Sequence, residues 1–189
     1  HCKEHGIEHE IIDTQIFELA GEKIRKNSSF CSFFSRMRRG YLYSTAQEQG
    51  YNKVALGHHL DDAMESFFMN FFYNGTMRSM PPKYTAENGL EVIRPLIFCR
   101  ERQLRAFADT NEINVIGDEA CPGLRFDVKM PHARAATKEL LAKLEIENPQ
   151  IFVSMKAAFS NIQLSTFFNK EDLEEYKDTF IKNGIKAFF

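Results

Sequence analysis

Lys53-Val54-Ala55-Leu56-Gly57-His58-His59-Leu60-Asp61-Asp62-Ala63-Met64 is the stretch that decides the fold. Val54 to Gly57 reads as a buried parallel strand, a short apolar run with a polar residue before it. From Leu60 the period changes. Met64, Phe67, Phe68, Phe71 and Phe72 form a wide apolar stripe, which predicts a helix over 60–73 stopped by Asn74-Gly75. The turn between strand and helix holds Gly57, His58 and His59. In an open α/β sheet ligands bind at such turns, outside the carboxyl ends of the strands. Two imidazoles and two carboxylates within five residues are an expensive group to keep together unless a site uses them.

Three readings of this run compete. Asp61 and Asp62 suit the positive end of a helix dipole, which accounts for an acid but not for the imidazoles. Adjacent histidines suit zinc, but no convincing further His or Cys ligands stand nearby in the sequence. The third reading, a nucleotide and nucleic-acid site, needs the surrounding sequence.

Outward from that stretch, Glu8 to Ile12 reads as a short strand, 16–26 and 31–49 as helices, and 76–86 as a loop stiffened by Pro81-Pro82. In the second helix Phe34, Met37, Tyr41 and Leu42 share a face, and Gly50 stops it. Glu87-Asn88-Gly89 predicts a turn and 90–94 a strand ending at Pro95. A helix over 100–111 turns Leu104, Phe107 and Ala108 inward. Val115-Ile116 is a short strand or an extended link, and Cys121-Pro122-Gly123 a turn. Helices over 131–144 and 149–161 each begin near a proline. Asn169 caps a last helix over 169–183. Alternating β and α elements predict an α/β fold, a parallel sheet with helices on both faces, followed by a helical appendage. The expected division is 1–128 and 129–189.

At 189 residues the chain can bury a proper core. A net charge of −2 excludes polyanion binding by bulk charge. Between Phe33 and Ala108, however, ten Lys/Arg stand against seven Asp/Glu. No apolar run approaches the roughly 18–20 residues of a membrane span, so no membrane partner is expected. The sequence shows no secretory signal, and Cys2, Cys31, Cys99 and Cys121 form no dense framework. A reducing cytoplasm is therefore the expected location.

Several segments, in order and spacing, resemble the TtcA-type tRNA 2-thiocytidine synthetases of the PP-loop (N-type ATP pyrophosphatase) superfamily. They are Ser35-Arg36-Met37-Arg38-Arg39-Gly40, Gly57-His58-His59-x-Asp61-Asp62, Asn70-x-Phe72-Tyr73-x-Gly75, Met80-Pro81-Pro82-Lys83 and Ile93-Arg94-Pro95-Leu96. The resemblance runs weakly from His1 and fades after about Phe168. It implies an adenine nucleotide α-hydrolase-like, Rossmann-like fold. The implied reaction is ATP-dependent thiolation of a tRNA base, cytidine in the anticodon loop. The base oxygen is adenylated with loss of pyrophosphate, and a sulfur donor displaces AMP. ATP, Mg2+, tRNA and a sulfur donor are the implied cofactors and partners; a homodimer stays open. A related ligase of the lysidine synthase type, with an amine in place of sulfur, is the neighbouring alternative. The Arg-x-Arg-Arg-Gly and Met-Pro-Pro-Lys segments favour thiolation.

On the resemblance, Gly57, His58 and His59 face nucleotide or base, and Asp61 or Asp62 serves catalysis or holds magnesium. Arg36, Arg38, Arg39, Arg78 and Lys83 are the candidate RNA contacts, where a solvated face is the bland alternative. Gly40 inside a helix costs about 1 kcal/mol relative to Ala, which predicts close backbone approach or a kink. The resembling enzymes hold a 4Fe–4S cluster with cysteines from two C-x-x-C pairs. Here the pairs read Cys31-Ser32-Phe33-Phe34 and Asp118-Glu119-Ala120-Cys121, one Cys each. Two thiolates are a weak cradle for such a cluster, so its loss is the expectation. Cys31 and Cys121 are then either a persulfide carrier with its resolving partner, or two buried thiols.

No Ser-Gly-Gly-x-Asp-Ser phosphate loop occurs in the chain. Glu8 to Ile12 matches the family's second strand, so the economical expectation is that an N-terminal segment with first strand, phosphate loop and first helix is absent, leaving this chain inactive alone. The rival is a binding module without catalysis.

Overall fold

A computed structural model of the chain describes residues 1–23, 30–116, 132–167, 169, 171 and 173–175. The chain divides into two compact units, 1–149 and 150–189. In the first, α1 (Ile16–Lys23) and α2 (Phe30–Glu48) lead to β1 (Lys53–Ala55) and α3 (Leu60–Tyr73). Then come β2 (Lys83–Thr85), β3 (Glu91–Ile93), α4 (Glu101–Thr110) and α5 (His132–Glu147). The second unit holds α6 (Ile151–Ala158), with Phe152 buried, and a 3-10 turn at Leu164–Thr166. Residues 171 and 173–175 are helical, and the rest of the helix expected over 169–183 lies largely outside the described residues. So does the expected 121–123 turn. The expected 128/129 division falls there too, but α5 packs on α3 within the first unit.

Three strands form one sheet in the order β1-β3-β2. β1 runs parallel to β3, with Val54 opposite Val92, and α3 lies on the connection between them. The decisive stretch is therefore read correctly: strand, tight turn, helix. β2 pairs antiparallel with β3, Tyr84 opposite Val92, so among the described residues the sheet is mixed and not purely parallel. The segment expected as a loop contains this strand. Pro81-Pro82 masks it in the sequence because proline cannot donate to a ladder. Both prolines precede β2, and the Pro82 carbonyl accepts from Arg94 N–H (2.8 Å), which extends the pairing. The turn at 87–89 closes the hairpin, with Gly89 at φ +86°.

One expected strand is absent, and one open alternative is decided. Glu8 to Ile12 forms no strand and Ile11 is 82% exposed. Its backbone meets no ladder among the described residues, and β-propensity alone does not hold a lone strand. Val115-Ile116 is an exposed link.

The core gathers Val54 and Val92 from the sheet, Leu60, Ala63 and Met64 from α3, Ala108 from α4 and Leu141 from α5. The α3 stripe is buried only in its first half. Phe71 and Phe72 are exposed and stack instead on Phe67 and Phe68 one turn back (6.1 and 5.6 Å between centroids). On α4 Ala108 faces in as expected, whereas Phe107 is exposed. The helix α2 runs unbroken through Gly40 and the close approach is not seen: an added Cβ would find nothing within 4 Å among the described residues.

Met64→Ala removes a fully buried side chain and is expected to cost about 2–5 kcal/mol in urea unfolding, with the slope unchanged. Gly40→Ala, in open space on a helix, is expected to add about 0.5–1 kcal/mol in the same measurement.

Candidate functional site

Both parallel strands end at the same edge of the sheet. β1 exits into Leu56-Gly57-His58-His59 and β3 exits into Arg94. Leu56 N–H still reaches Ile93 O (2.9 Å), and Leu60 N–H reaches Cys99 O (2.8 Å), which ties the two exits together. This is the edge at which an open α/β sheet binds its ligands.

His59 caps α3. Its Nδ1 accepts from Asp62 N–H (3.3 Å), and its own N–H donates to Asp62 Oδ2 (3.0 Å). This is a capping box built with an imidazole in place of a hydroxyl. An accepting Nδ1 puts the neutral ring's proton on Nε2, which lies 3.4 Å from Asp62 Oδ2.

Asp61 turns the other way. Both its oxygens accept from Arg100 Nε (3.1 and 3.2 Å), and Oδ1 also accepts from Arg100 Nη2 (3.0 Å). Its Oδ2 takes Glu101 N–H (2.7 Å), so the same carboxylate caps α4. Arg100 in turn donates to Glu145 of α5 (2.6 and 2.8 Å). Burial pushes the Asp61 carboxyl up, but the hydrogen bonds from Arg100 and Glu101, with the Arg100 charge, outweigh it and hold the group below its ordinary value. Glu145 is likewise held low by Arg100.

Asp62 Oδ1 accepts from Arg134 Nη2 of α5 (2.8 Å), and Arg134 Nε reaches Glu65 (2.9 Å). Glu65 is 5% exposed; burial pushes its carboxyl above the usual range against the pull of Arg134.

His58 has a different environment. Its Nδ1 accepts from Arg94 Nε (3.4 Å), leaving Nε2–H as the donor of the neutral ring. Burial lowers its pKa from the ordinary 6.5; the Asp62 charge opposes this, and Arg94, Arg134 and Arg38 reinforce it. Arg94 is itself 8% exposed. It donates to Pro81 O (2.6 Å) and lies over the Tyr84 ring (5.3 Å), and among the described residues no carboxylate pairs with it. Tyr84 shares a hydrogen bond with Tyr43 (2.8 Å), whose hydroxyl is pushed up to about 12 by burial and that bond.

The structure thus brings His58, His59, Asp61 and Asp62 to one corner. Gly57 is exposed in the turn, with open space where a Cβ would stand. Arg36, Arg38, Arg39 and Arg78 are exposed and form no carboxylate pair among the described residues. Lys83 instead pairs with Glu91, which Lys53 also reaches (3.2 Å). Cys31 lies in the first turn of α2; its side chain and the whole of Cys121 fall outside the described residues. Cys2 and Cys99 are half-buried free thiols. Glu65, Arg134 and Glu145 were not anticipated. They pair with residues far away in the chain, and no local spacing marks such pairs.

Two metal readings meet this geometry. Among the described residues no grouping of metal-site size includes His58 or His59; the His/Glu grouping of that size is His1, Glu4 and His5, exposed at the chain start. Magnesium does not fit Asp61 and Asp62 as arranged. Their oxygens are taken by guanidinium and backbone donors, and two arginine cations already lie against them.

Residues 2–129 match the PP-loop domain family. The tRNA-cytidine(32) 2-sulfurtransferase of Geobacter metallireducens is 41% identical over 173 residues, 90% of this chain and 65% of that protein. The protein of that name from Coxiella burnetii is 39% identical over 166 residues, 87% of this chain and 63% of that one. The chain thus spans a little under two thirds of the length of these curated relatives. Among solved structures, the U34-tRNA thiolase NcsA from Methanococcus maripaludis, with its [4Fe-4S] cluster, superposes with a TM-score of 0.66 at 21% identity. That match covers 89% of this chain and 56% of NcsA and concerns the fold.

Asp61→Asn should lower stability at neutral pH and flatten the acid limb of the stability curve. A carboxyl held low when folded contributes fully above its unfolded value of 3.8, and the contribution is lost as pH falls through the folded value. Urea melts of both proteins from neutral to acid pH would show this as a shallower loss in the variant.

Proposed function

The chain belongs to the PP-loop family, and from that premise we propose that it works in ATP-dependent thiolation of a tRNA base, cytidine in the anticodon loop. The observation that carries the reading is the His58–Arg94 pair at the joint exit of β1 and β3. A buried guanidinium that meets no carboxylate among the described residues is stabilised by an anion, and a phosphoryl group of bound nucleotide supplies one. The names of the curated relatives support sulfur, in preference to an amine, as the incoming nucleophile.

In this scheme the base oxygen attacks the α-phosphorus of ATP and pyrophosphate leaves. That turns a poor leaving group into a good one. The sulfur donor then adds at the base carbon and AMP departs. Neutral His58 donates from Nε2 to oxygen where charge develops, with Arg94 beside it as fixed positive charge. Asp62 is the carboxylate assigned to the reacting groups, oriented by His59; Asp61 keeps Arg100 and α4 in place. Arg36, Arg38, Arg39 and Arg78 are the cations for tRNA phosphates, and Lys83 a weaker member because Glu91 holds it. ATP brings Mg2+ as its own counter-ion, and no protein residue is assigned to it. Cys31 and Cys121 are the candidate sulfur-handling thiols, with a 4Fe–4S cluster not expected from two cysteines. The NcsA structure carries such a cluster, and iron analysis of anaerobically purified protein decides the matter. A cytoplasmic location follows from the tRNA substrate.

The complete gene product should exchange pyrophosphate into ATP when tRNA is present. His58→Ala should reduce that exchange roughly hundredfold, as loss of a donor at a developing charge does. Asp62→Ala should weaken it as well, with circular dichroism as the check on the α3 cap. tRNA nucleosides from a deletion strain should lack 2-thiocytidine by mass spectrometry; its persistence would refute the proposal.

A further inference from the structure

We propose that Arg134 is a positioning residue for the Asp62–His59–His58 corner, and that α5 completes the site from outside the matched family domain. The inference rests on the thiolation reading for what the corner does, but not for how it is held.

The family match ends at residue 129, and α5 begins at His132. α5 nevertheless reaches both carboxylates of the corner, Asp62 directly and Asp61 through Arg100. Near its start Arg134 bonds Asp62 (2.8 Å) and Glu65 (2.9 Å), residues one turn apart on α3. Near its end Glu145 bonds Arg100, which holds Asp61. Between them Thr137 and Leu141 are buried on the same face (2% and 3% exposed), and Thr137 Oγ1 bonds back to Ala133 O (2.7 Å). Residues 134, 137, 141 and 145 follow helical spacing, so one face carries all of these contacts.

The Asp62 contact has consequences beyond packing. Asp62 Oδ2 holds His59 N–H, and His59 Nδ1 holds Asp62 N–H. The guanidinium on Oδ1 therefore fixes the carboxylate that orients His59 and whose charge acts on His58, itself held by Arg94. The Glu65 contact keeps the guanidinium still. A planar fork bonded through Nε to one carboxylate and through Nη2 to another has little freedom left. Lysine keeps the charge but puts a single ammonium on a flexible stem in place of the rigid fork.

Arg134→Ala strips a buried carboxylate of its partner and threatens the fold. The pair Glu65→Gln and Glu65→Gln/Arg134→Met removes that difficulty, because the buried charge is absent from both. Two readouts apply. The first is the imidazole titration of His58 by NMR in the 189-residue chain, where the charged groups acting on the ring are Asp62, Arg94, Arg134 and Arg38. The second is pyrophosphate exchange by the complete gene product.

In the double variant the His58 midpoint should rise relative to Glu65→Gln, since one cation leaves and Asp62 is released. Turnover in exchange should fall roughly hundredfold, the scale of a misplacement of about 1 Å, with KM for ATP within about twofold. Arg134→Lys should restore the midpoint but not turnover. Equal turnover in the double variant and Glu65→Gln, full rescue by lysine, or a loss matched by the unfolded fraction would each overturn the proposal. If the parent protein shows no exchange at all, the thiolation reading falls alone, because the His58 titration reports the hold without it.

Discussion

The carboxylate of Asp61 is the point on which the rest of the site depends. It sits in the first turn of α3, receives the Arg100 guanidinium, and caps α4 through Glu101 N–H. Arg100 passes the same hold to Glu145 of α5. Three helices are thereby registered against one side chain. A buried ion pair is weak evidence for stability, because desolvation offsets the attraction. Its geometric consequence is stronger: with donors on both sides, Asp61 has one arrangement, and the strand exits are fixed relative to each other.

Asp62, the adjacent residue, has a different duty. It faces His59 and Arg134, so that the two acids of the motif point to separate networks. Neighbouring carboxylates that shared a pocket would repel and raise one another's pKa. Splitting them between Arg100 and Arg134 gives each acid its own cation beside His58. The corner thus presents a hydrogen-bond donor, a fixed cation at Arg94 and a braced carboxylate. On the proposed function, that combination suits phosphoryl oxygen and an amide-like base.

The legible parts of the sequence were those governed by local period and local chemistry. The strand, turn and helix at 53–73 were readable because an apolar run, a Gly-His-His turn and a 3.6-residue stripe follow one another without interruption. β2 was not readable, because Pro81-Pro82 resembles a loop and a three-residue edge strand carries almost no pattern. The strand expected at Glu8 to Ile12 failed for the converse reason: its residues favour β structure, but no neighbouring strand bonds them among the described residues. Period alone turns Phe107, Phe71 and Phe72 inward, whereas their helices bury only part of the stripe.

By itself the sequence determined the α/β class, the place of the motif at a strand exit, and the helices that flank it, because these follow from residue spacing over about twenty positions at most. Only the tertiary structure decided what each charged side chain does. Arg134 and Asp62 are 72 residues apart, and Arg100 and Glu145 are 45 apart. Nothing in local period says which cation meets which acid, since the pairing is set by how α5 lies on α3 and how α4 leaves β3.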